Sequence, residues 1–363
     1  MPVPISGRRR FLGSLLAASI TPMPVWADAG SPAFLSAAGK PDGRFVLCGI
    51  GADLRIRFEI PLPARGHAAA AHPTRPEAVA FARRPGTFAV VIDCVSGAQK
   101  AILTAPPGRH FYGHGAYSLD GSLLFTTEND FELGRGRIGV WDTRNGYRRA
   151  DEWDSAGIGP HDIKRLPASD VLVVANGGID THPDTGRTKL NLPTMRPNLA
   201  YIDNGQIIDS VAGPPDLRKN SIRHLAVGAS GMVAFAMQWQ GGGPARTLVG
   251  VHRLGQPIRF MAAKADELRK MDGYVGSIAL SADEQMIAVT SPRGGILQEY
   301  DVNTHRFLKS SAMPDVSGVA AFGKKFALSA GTGEMSLHGK DNARLVRRTP
   351  VHWDNHLIAV AAG

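Results

Sequence analysis

Along most of the chain, short apolar runs alternate with turns rich in Gly, Asp, Asn and Pro. The segment 113–128 is representative: a histidine precedes a strand, an Asp120-Gly121 turn and a second strand. An Asp-Gly pair between alternating apolar runs is a strong hairpin signal. A third strand follows at 137–142 and ends in a turn at 144–146. The pattern therefore predicts antiparallel β-structure built from short strands and tight turns.

The unit of a histidine or serine, a strand, a turn and a second strand recurs along the chain. Its copies open at His67, His114, His161, His224, Ser277, Ser317 and His356. The spacings between these openings are 47, 47, 63, 53, 40 and 39 residues. Periods of about 40–50 residues with several short strands in each are typical of a β-propeller. The repeat predicts seven blades.

The last copy, which opens at His356, lacks a partner strand after it. Such a partner occurs near the other end, where Pro41-Asp42-Gly43 leads into the apolar run 44–47. A blade shared by both chain ends closes the ring, which leaves only short, protected sheet edges. We therefore predict an all-β, seven-bladed β-propeller with one blade closed by N- and C-terminal strands. A β-sandwich is the alternative, but it explains neither the seven copies nor the shared one.

The N-terminal pattern is typical of a secretory signal, with a basic start, a short apolar run and small residues before a cleavage point. Arg8-Arg9-Arg10 precede Phe11-Leu12, and the apolar run occupies 15–20. Two arginines before x-Phe-Leu resemble the twin-arginine type. The run is short for a membrane anchor, which is the alternative. We predict a twin-arginine signal peptide over 1–27, a single propeller domain over 28–363, export to the periplasm and no membrane span after cleavage.

Composition and charge exclude several classes of protein. The chain has 363 residues, 43% hydrophobic and 20% charged, which excludes wholesale disorder and coiled coil. The formal net charge is +9, and removing the three arginines of residues 1–27 leaves 9 − 3 = +6. Nucleic-acid binding needs a clustered basic patch with stacking aromatics, whereas these charges are scattered, so no nucleic-acid partner is expected. Cys48 and Cys94 are predicted to be two buried small side chains, with a disulfide as the alternative.

Five of the seven openings are histidine: His67, His114, His161, His224 and His356. The first strand of a propeller blade lies nearest the axis, so the residue before it lies at one mouth of the central channel. With only 12 histidines in the chain, this placement points to a function. Neutral imidazoles are the commonest transition-metal ligands. The sequence predicts a metal or anion site at the axis, and iron or copper is the expected ion if a metal is bound. A purely structural histidine ring that ties blades together is the alternative.

The second strand of each hairpin returns to the same mouth about 14 positions after the opening. The unit from His161 to His224 is also 63 − 47 = 16 residues longer than its predecessor, and the excess at 176–198 is a candidate lid or docking surface. Further candidate ligands or binding residues around the mouth are Glu128, Asn176, Gln238, Arg223, Arg293 and His182.

Several strings in the chain are distinctive. They include Arg109-His110-Phe111-Tyr112-Gly113-His114-Gly115, Gly159-Pro160-His161, Asn176-Gly177-Gly178-Ile179-Asp180-Thr181-His182-Pro183, Ser221-Ile222-Arg223-His224 and Trp353-Asp354-Asn355-His356. In these strings, and over nearly all of 28–363, the chain resembles the domain-of-unknown-function family 1513 of exported bacterial proteins. Members tend to be encoded beside imelysin-like proteins and a di-haem thiol-oxidoreductase-like protein. The resemblance implies a role in iron uptake with these as candidate partners, and it brings no established reaction.

The histidine layout also resembles the propeller of nitrous oxide reductase, whose copper cluster is held by histidines at the blade starts. Two of the seven positions are serine here, which argues against a full multi-copper cluster. The leading hypothesis is a periplasmic metal-binding protein. The alternatives are a metal-dependent enzyme, either a lactonase-like hydrolase or an oxidoreductase with Glu128 as acid or base, and a metal-free scaffold that docks an imelysin-like or haem partner. No nucleophile elbow, phosphate loop or dinucleotide fingerprint occurs, so the sequence favours binding over catalysis.

Overall fold

The structure is a computed structural model that describes residues 23–83, 86–186, 188–339 and 345–360. These residues form seven antiparallel β-sheets and almost no helix. Six sheets have four strands each, and the seventh has five strands drawn from both ends of the chain. First strands of successive sheets contact one another, as expected for blades around an axis. The predicted seven-bladed β-propeller is confirmed.

The first half of the chain contributes three N-terminal strands and three complete blades. The N-terminal strands are β1 (Phe34–Gly39), β2 (Phe45–Ile50) and β3 (Ile56–Leu62). Blade 1 comprises β4 (Gly66–Ala71), β5 (Glu77–Ala82), β6 (Phe88–Asp93) and β7 (Gln99–Thr104). Blade 2 comprises β8 (Arg109–Tyr117), β9 (Leu123–Asp130), β10 (Arg135–Asp142) and β11 (Arg148–Asp154). Blade 3 comprises β12 (Pro160–Arg165), β13 (Leu172–Asn176), β14 (Asn198–Asp203) and β15 (Gln206–Ala212).

The second half contributes three more blades, the closing strands and the short helical segments. Blade 4 comprises β16 (Asn220–Val227), β17 (Val233–Trp239), β18 (Val249–His252) and β19 (Arg259–Phe260). Blade 5 comprises β20 (Ser277–Leu280), β21 (Met286–Ser291), β22 (Ile296–Asp301) and β23 (Arg306–Ala312). Blade 6 comprises β24 (Val316–Phe322), β25 (Lys325–Ala330), β26 (Glu334–His338) and β27 (Leu345–Arg348). The remaining elements are β28 (His352–Trp353), β29 (Ile358–Ala359), helix α1 (Ala265–Lys270) and 3-10 turns at Pro183–Thr185 and Pro215–Leu217.

Both chain ends build the last sheet, blade 7, which consists of β28, β29, β1, β2 and β3. Strand β29 pairs with β1 through Leu35 and Ile358, and β28 pairs with its other end through Ala38 and Trp353. The guanidinium of Arg65 donates to the buried Asp354 carboxylate at 2.7 Å and ties blade 7 to the start of blade 1. The predicted closure by N- and C-terminal strands is therefore present.

Apolar side chains between adjacent sheets form the core. Strand β5 is buried along its whole length, whereas β7 at the rim is mostly exposed. Val79 and Val91 of blade 1 pack in one cluster with Phe111, Leu124 and Trp141 of blade 2. Burying such surface contributes about 25 cal/mol per Å². This packing between blades fixes the inner strands and hence the positions of the side chains that face the axis.

The Asp120-Gly121 turn shows how local sequence sets the hairpins. The Asp120 carboxylate accepts hydrogen bonds from the Ser122 N–H and the Ser118 hydroxyl, both at 2.9 Å. Gly121 has φ +72°, and a Cβ there would lie 2.3 Å from Nε2 of His72. The turn therefore needs glycine both for its backbone conformation and for its close approach to the neighbouring blade.

The predicted signal peptide lies mainly outside the described residues, and its described end packs on the fold. Trp26 is buried, and its indole N–H donates to the His72 carbonyl at 3.0 Å. Cleavage after Ala27 would remove this contact. Among the described residues, no helix is long and apolar enough to cross a membrane.

The two cysteines lie in separate hydrophobic clusters and are not bonded to each other. Burial raises the pKa of both the Cys48 and the Cys94 thiol to about 12. Both thiols are therefore protonated at neutral pH and act as small apolar side chains, as the sequence predicted.

Candidate functional site

Five imidazoles from five consecutive blades meet at the central channel. We call this set the histidine cluster: His67, His114, His161, His224 and His356. Around the cluster, the centroids of successive rings in this order lie 5.0, 5.1, 4.8 and 4.9 Å apart, and the last ring lies 4.8 Å from the first. His114 is central, because its ring centroid lies within 5.9 Å of each of the other four. The structure thus brings together all five histidines that the repeat singled out.

Irregular pairing in the innermost strands helps to aim these side chains. In β8, pairing passes from Phe111 directly to Gly115, which leaves the residues between them out of register. His161 is skipped in the pairing of β12, and Arg223 is skipped immediately before His224 in β16. Such bulges bend a strand and redirect a side chain. His67, His114, His161 and His224 lie inside strands, whereas the sequence placed them just before strands.

A glycine in the β8 irregularity makes room for the neighbouring imidazole. Gly113 has φ +97°, a conformation that L-residues rarely adopt. A Cβ at this position would lie 2.5 Å from Cδ2 of His67. The absence of a side chain at Gly113 therefore lets the backbone of blade 2 pack directly against the His67 ring of blade 1.

Each imidazole of the cluster keeps one buried nitrogen that has no hydrogen-bond partner among the described residues. These atoms are His67 Nδ1, His114 Nε2, His161 Nδ1, His224 Nδ1 and His356 Nε2. A buried polar atom left without a partner costs roughly 1–3 kcal/mol. Five such atoms at one place are a donor set that fits a transition-metal ion, which binds the neutral imidazole nitrogen.

Burial and neighbouring charges keep four of these rings neutral. Burial, reinforced by neighbouring histidines and by nearby Arg or Lys side chains, lowers the pKa of His67, His161 and His356 well below the usual range. Burial and the nearby His114 lower the pKa of His224 to about 3. These four imidazoles are therefore neutral at pH 7 and offer lone pairs rather than positive charges.

A buried carboxylate that the sequence analysis missed orients the central histidine. Asp162 Oδ1 lies 3.2 Å from His114 Nδ1 and 3.3 Å from Lys164 Nζ, and Oδ2 accepts the Leu225 N–H at 2.9 Å. Burial raises the pKa of Asp162, but the charge of Lys164 and the hydrogen bond from His114 outweigh it and hold that pKa well below its usual range. The carboxylate therefore favours a proton on Nδ1 of His114 and leaves Nε2 as the lone-pair nitrogen.

The ligand atoms form two overlapping triplets that share His114. The nitrogens of His67, His114 and His356 all lie within 4.8 Å of one another, and so do those of His114, His161 and His224. A tetrahedral ion with metal–nitrogen bonds of about 2.0–2.1 Å holds its nitrogens about 3.4 Å apart. Small side-chain shifts would therefore let either triplet close on an ion.

The cluster separates two cavities along the channel. The mouth cavity has a volume of about 310 Å³ and lies at the end of the channel where the innermost strands begin. His67 and His161 line it. The channel cavity has a volume of about 350 Å³ and extends along the innermost strands. His114, His224 and His356 line it. An ion in the cluster would be reachable from both sides.

Three of the other predicted residues lie at the mouth cavity. Arg223, Gln238 and Arg293 line it together with Lys189 from the long segment 176–198. The Gln238 amide donates to the Val275 carbonyl at 3.1 Å, which fixes its position at the wall. The expectation that this segment emerges on the histidine face fits the position of Lys189.

Glu128, in contrast, does not reach the cluster. Its two carboxylate oxygens accept from both terminal nitrogens of Arg149 at 2.8 Å, and the Thr126 hydroxyl donates to it at 2.8 Å. A Cβ on Gly139 would lie 2.0 Å from Oε1 of Glu128. The side chain therefore lies on the blade face against β10 and β11 rather than toward the axis.

Asn176 and His182 are also held elsewhere. The Asn176 amide exchanges hydrogen bonds with Ser155, at 2.8 Å to its hydroxyl and 2.7 Å to its carbonyl, and so joins blades 2 and 3. His182 accepts the Asp184 N–H at 3.3 Å, and its Nε2 lies 3.7 Å from Glu132. Both side chains stabilise the fold around the mouth instead of entering it.

Comparison with known proteins identifies a family and a fold. The family model described as "Protein of unknown function (DUF1513)" matches residues 60–360. No curated protein matches the chain. Among solved structures, a chain of Kuenenia stuttgartiensis hydrazine synthase is similar, with a TM-score of 0.61, 13% identity, and coverage of 88% of this chain and 96% of that one. U3-55K is similar with a TM-score of 0.56, 13% identity, and coverage of 76% and 77%. At such identities these likenesses show the fold alone.

Proposed function

The chain belongs to the DUF1513 family, and we propose that it is a periplasmic binding protein that holds a transition-metal ion, iron or copper, in the histidine cluster. One observation carries the proposal. Five consecutive blades each direct one imidazole to the same place, and every one of these imidazoles has a buried nitrogen without a hydrogen-bond partner in the described part of the chain. Bonding to a metal ion would satisfy nitrogens that otherwise destabilise the fold.

A purely structural role for the cluster is less consistent with these contacts. Histidines that only link blades would use their ring nitrogens in hydrogen bonds to neighbouring backbone or side-chain groups. His252 does this, with one nitrogen 2.6 Å from the Tyr201 hydroxyl and the other 2.6 Å from the Gln256 carbonyl. The cluster histidines keep unsatisfied nitrogens instead.

The enzyme alternative loses its candidate acid or base. Arg149 and Thr126 hold the Glu128 carboxylate away from the cluster. Asp162 lies next to the cluster, but its oxygens are occupied by His114, Lys164 and the Leu225 N–H. We therefore propose binding rather than catalysis.

The cellular role rests on sequence. The N-terminal pattern supports export by the twin-arginine route, and the family resemblance supports a place in iron acquisition beside an imelysin-like or di-haem partner. The mouth cavity and the long segment that supplies Lys189 offer such a partner access to the ion.

The proposal is tested by elemental analysis of the protein exported in its native host and by titration with Co²⁺ and Cu²⁺. The variants are H114Q and H161Q, and the matched control is H352Q, whose histidine is exposed and lies outside the cluster. We expect stoichiometric metal in the wild type and control and loss of metal in both cluster variants. A metal-free exported protein that also fails to bind either ion, or equal binding by all four proteins, would overturn the proposal.

A further inference from the structure

The mouth cavity carries a concentration of positive charge. Four cationic side chains line it, namely Arg83, Lys189, Arg223 and Arg293. None of the described residues that line it is Asp or Glu. Arg83 has an acidic neighbour outside the lining, since its guanidinium lies 3.7 Å from the Asp354 carboxylate. The wall of the cavity is thus cationic without carboxylates of its own.

Neighbouring side chains hold two of these cations in place. The Lys189 ammonium donates to the side-chain carbonyl of Gln240. The Arg293 guanidinium lies 4.5 Å from the ring centroid of Tyr274. Neutral partners such as these position a cation without cancelling its charge. Lys189 and Arg293 therefore keep a positive charge with which an anion that enters from outside can pair.

The charges act on one another across the cavity. Burial and then the charges of Arg223 and Arg293 lower the pKa of Lys189. Like charges gathered around a concave site raise the local concentration of anions. The wall adds uncharged hydrogen-bonding groups, among them the buried Thr181 hydroxyl, which has no partner among the described residues.

From this geometry we infer that the mouth cavity binds a small multivalent oxyanion, a polycarboxylate or a phosphate, beside the histidine cluster. Guanidinium groups form paired hydrogen bonds with the oxygens of both anions. His67 and His161 line the same cavity, so an anion bound there lies next to the ion that the proposed function places in the cluster. The inference rests on that function for its biological meaning, because the bound species would then be a metal ion with an anionic co-ligand. The anion site itself is present in the metal-free protein.

Calorimetric titration of the metal-free full chain with succinate and with inorganic phosphate tests the anion site, and neutral succinamide serves as the reference. The variants are R293Q, whose side chain is exposed, and R223Q/R293Q. The control is R348Q, which removes one positive charge at the rim of blade 6, where the side chain is 83% exposed. We expect at least one anion to bind the wild type and R348Q, about tenfold weaker binding by R293Q and still weaker binding by the double variant.

The two anions distinguish the natural class, since the one that binds more tightly identifies carboxylate or phosphate chemistry. Failure of both to bind the wild type, equal affinity in all the proteins, or equal binding of succinamide would overturn the inference.

A second titration separates this inference from the proposed function. Anion is added to the Co²⁺-loaded protein while its visible spectrum is recorded, and total bound cobalt is checked by dialysis. We expect the spectrum to change in the wild type and in R348Q, with the cobalt retained. Anion binding by a protein that takes up no Co²⁺ would contradict the metal function and leave the anion site. Co²⁺ binding without any response to either anion would contradict the placement of the anion beside the ion.

Discussion

At the scale of single residues, the site depends on how one carboxylate and one central imidazole are placed. His114 contacts the other four rings, and Asp162 occupies its Nδ1. The repeat predicted all five histidines because each occurs at an equivalent position. It did not predict Asp162, which follows His161 in the chain but serves the histidine of the preceding blade. The sequence did contain a signal for Asp162, because it is an acidic residue in an innermost strand, where both faces of the sheet are buried.

Replacing Asp162 tests the role of this carboxylate as a positioning group. We expect D162N to weaken metal binding by about 10–100-fold, the usual effect of losing a carboxylate behind a ligating histidine. The measurement is competitive Co²⁺ titration at two pH values, because an altered proton position on His114 also changes the pH dependence. D120N is the control, since it removes an exposed turn carboxylate of blade 2. Unchanged affinity and unchanged pH dependence in D162N would contradict the assigned role.

The lowered pKa values of four cluster histidines, His67, His161, His224 and His356, also predict how the stability of the metal-free protein depends on pH. In the unfolded chain these side chains bind protons below about pH 6.5, whereas in the fold His224 does so only near pH 3. Between these values the unfolded state binds more protons, so the free energy of unfolding falls as the pH is lowered. Each such histidine contributes a slope of up to about 1.4 kcal/mol per pH unit.

Urea unfolding of the metal-free protein at pH 7, 6, 5 and 4 measures this slope. We expect the double variant H161Q/H224Q to lose less stability than the wild type between pH 6.5 and 4, because two of the contributing groups are gone. Parallel slopes for the two proteins would show that the histidines are not held neutral by the fold.

At the scale of elements, the innermost strands differ most from their sequence prediction. The hairpins, the Asp120-Gly121 turn and the blade boundaries follow from apolar alternation and turn residues, and these were predictable. The irregular pairing of β8 and β16 was not, because a bulge is set by contacts with the next blade rather than by local preference. Gly113 illustrates this, since a Cβ there would collide with the His67 ring of blade 1, in addition to the backbone cost of its positive φ.

Contacts between strands also decided which of the predicted polar residues, Glu128, Asn176 and Gln238, face the mouth. Distance along a hairpin placed Glu128 and Asn176 at the mouth end of their strands. The direction of each side chain depends on pleat and pairing, and a shift of one residue reverses the face. Glu128 thus faces Arg149 on the outer strand β11, whereas Gln238 at the corresponding place in blade 4 lines the mouth.

The β8 irregularity can be tested with two matched glycine substitutions. G113A places a Cβ 2.5 Å from His67 Cδ2 at φ +97°, whereas G43A places one at φ +85° with nothing within 4 Å. Both substitutions carry the backbone cost of about 1–2 kcal/mol. We expect only G113A to lose further stability and to weaken Co²⁺ binding. Urea unfolding and Co²⁺ titration measure the two effects, and equal behaviour of both variants would contradict the proposed coupling.

At the scale of the whole molecule, seven similar blades turn five scattered residues into one site. Five consecutive blades supply histidine, and the remaining two openings are Ser277 and Ser317. The Ser317 hydroxyl donates to the Asp315 carbonyl at 3.1 Å. The fold and ring closure were predictable because the repeat recurs along the chain. The charged mouth was predicted only in part. Arg223 and Arg293 were among the candidates, whereas Arg83 and Lys189 come from loops with no common period.

The start of the exported molecule gives a prediction of its own. Trp26 is buried and bonded to His72, and replacing a buried Trp by Ala costs about 3–5 kcal/mol. If cleavage follows Ala27, W26A lowers the unfolding free energy of the uncleaved chain and leaves that of the exported protein unchanged. N-terminal sequencing and urea unfolding of both forms test this. An exported protein that retains Trp26, with the same loss of stability in both forms, would contradict the predicted boundary.

Anomalous diffraction at the absorption edge of the bound metal, from crystals of the protein exported in its native host, tests the metal site most directly. We expect one peak in the histidine cluster, with nitrogens of His114 and at least two other cluster histidines about 2.0–2.2 Å from it. An anomalous map without a peak in the cluster, or with its only strong peak elsewhere on the molecule, would contradict the assignment of these histidines as metal ligands.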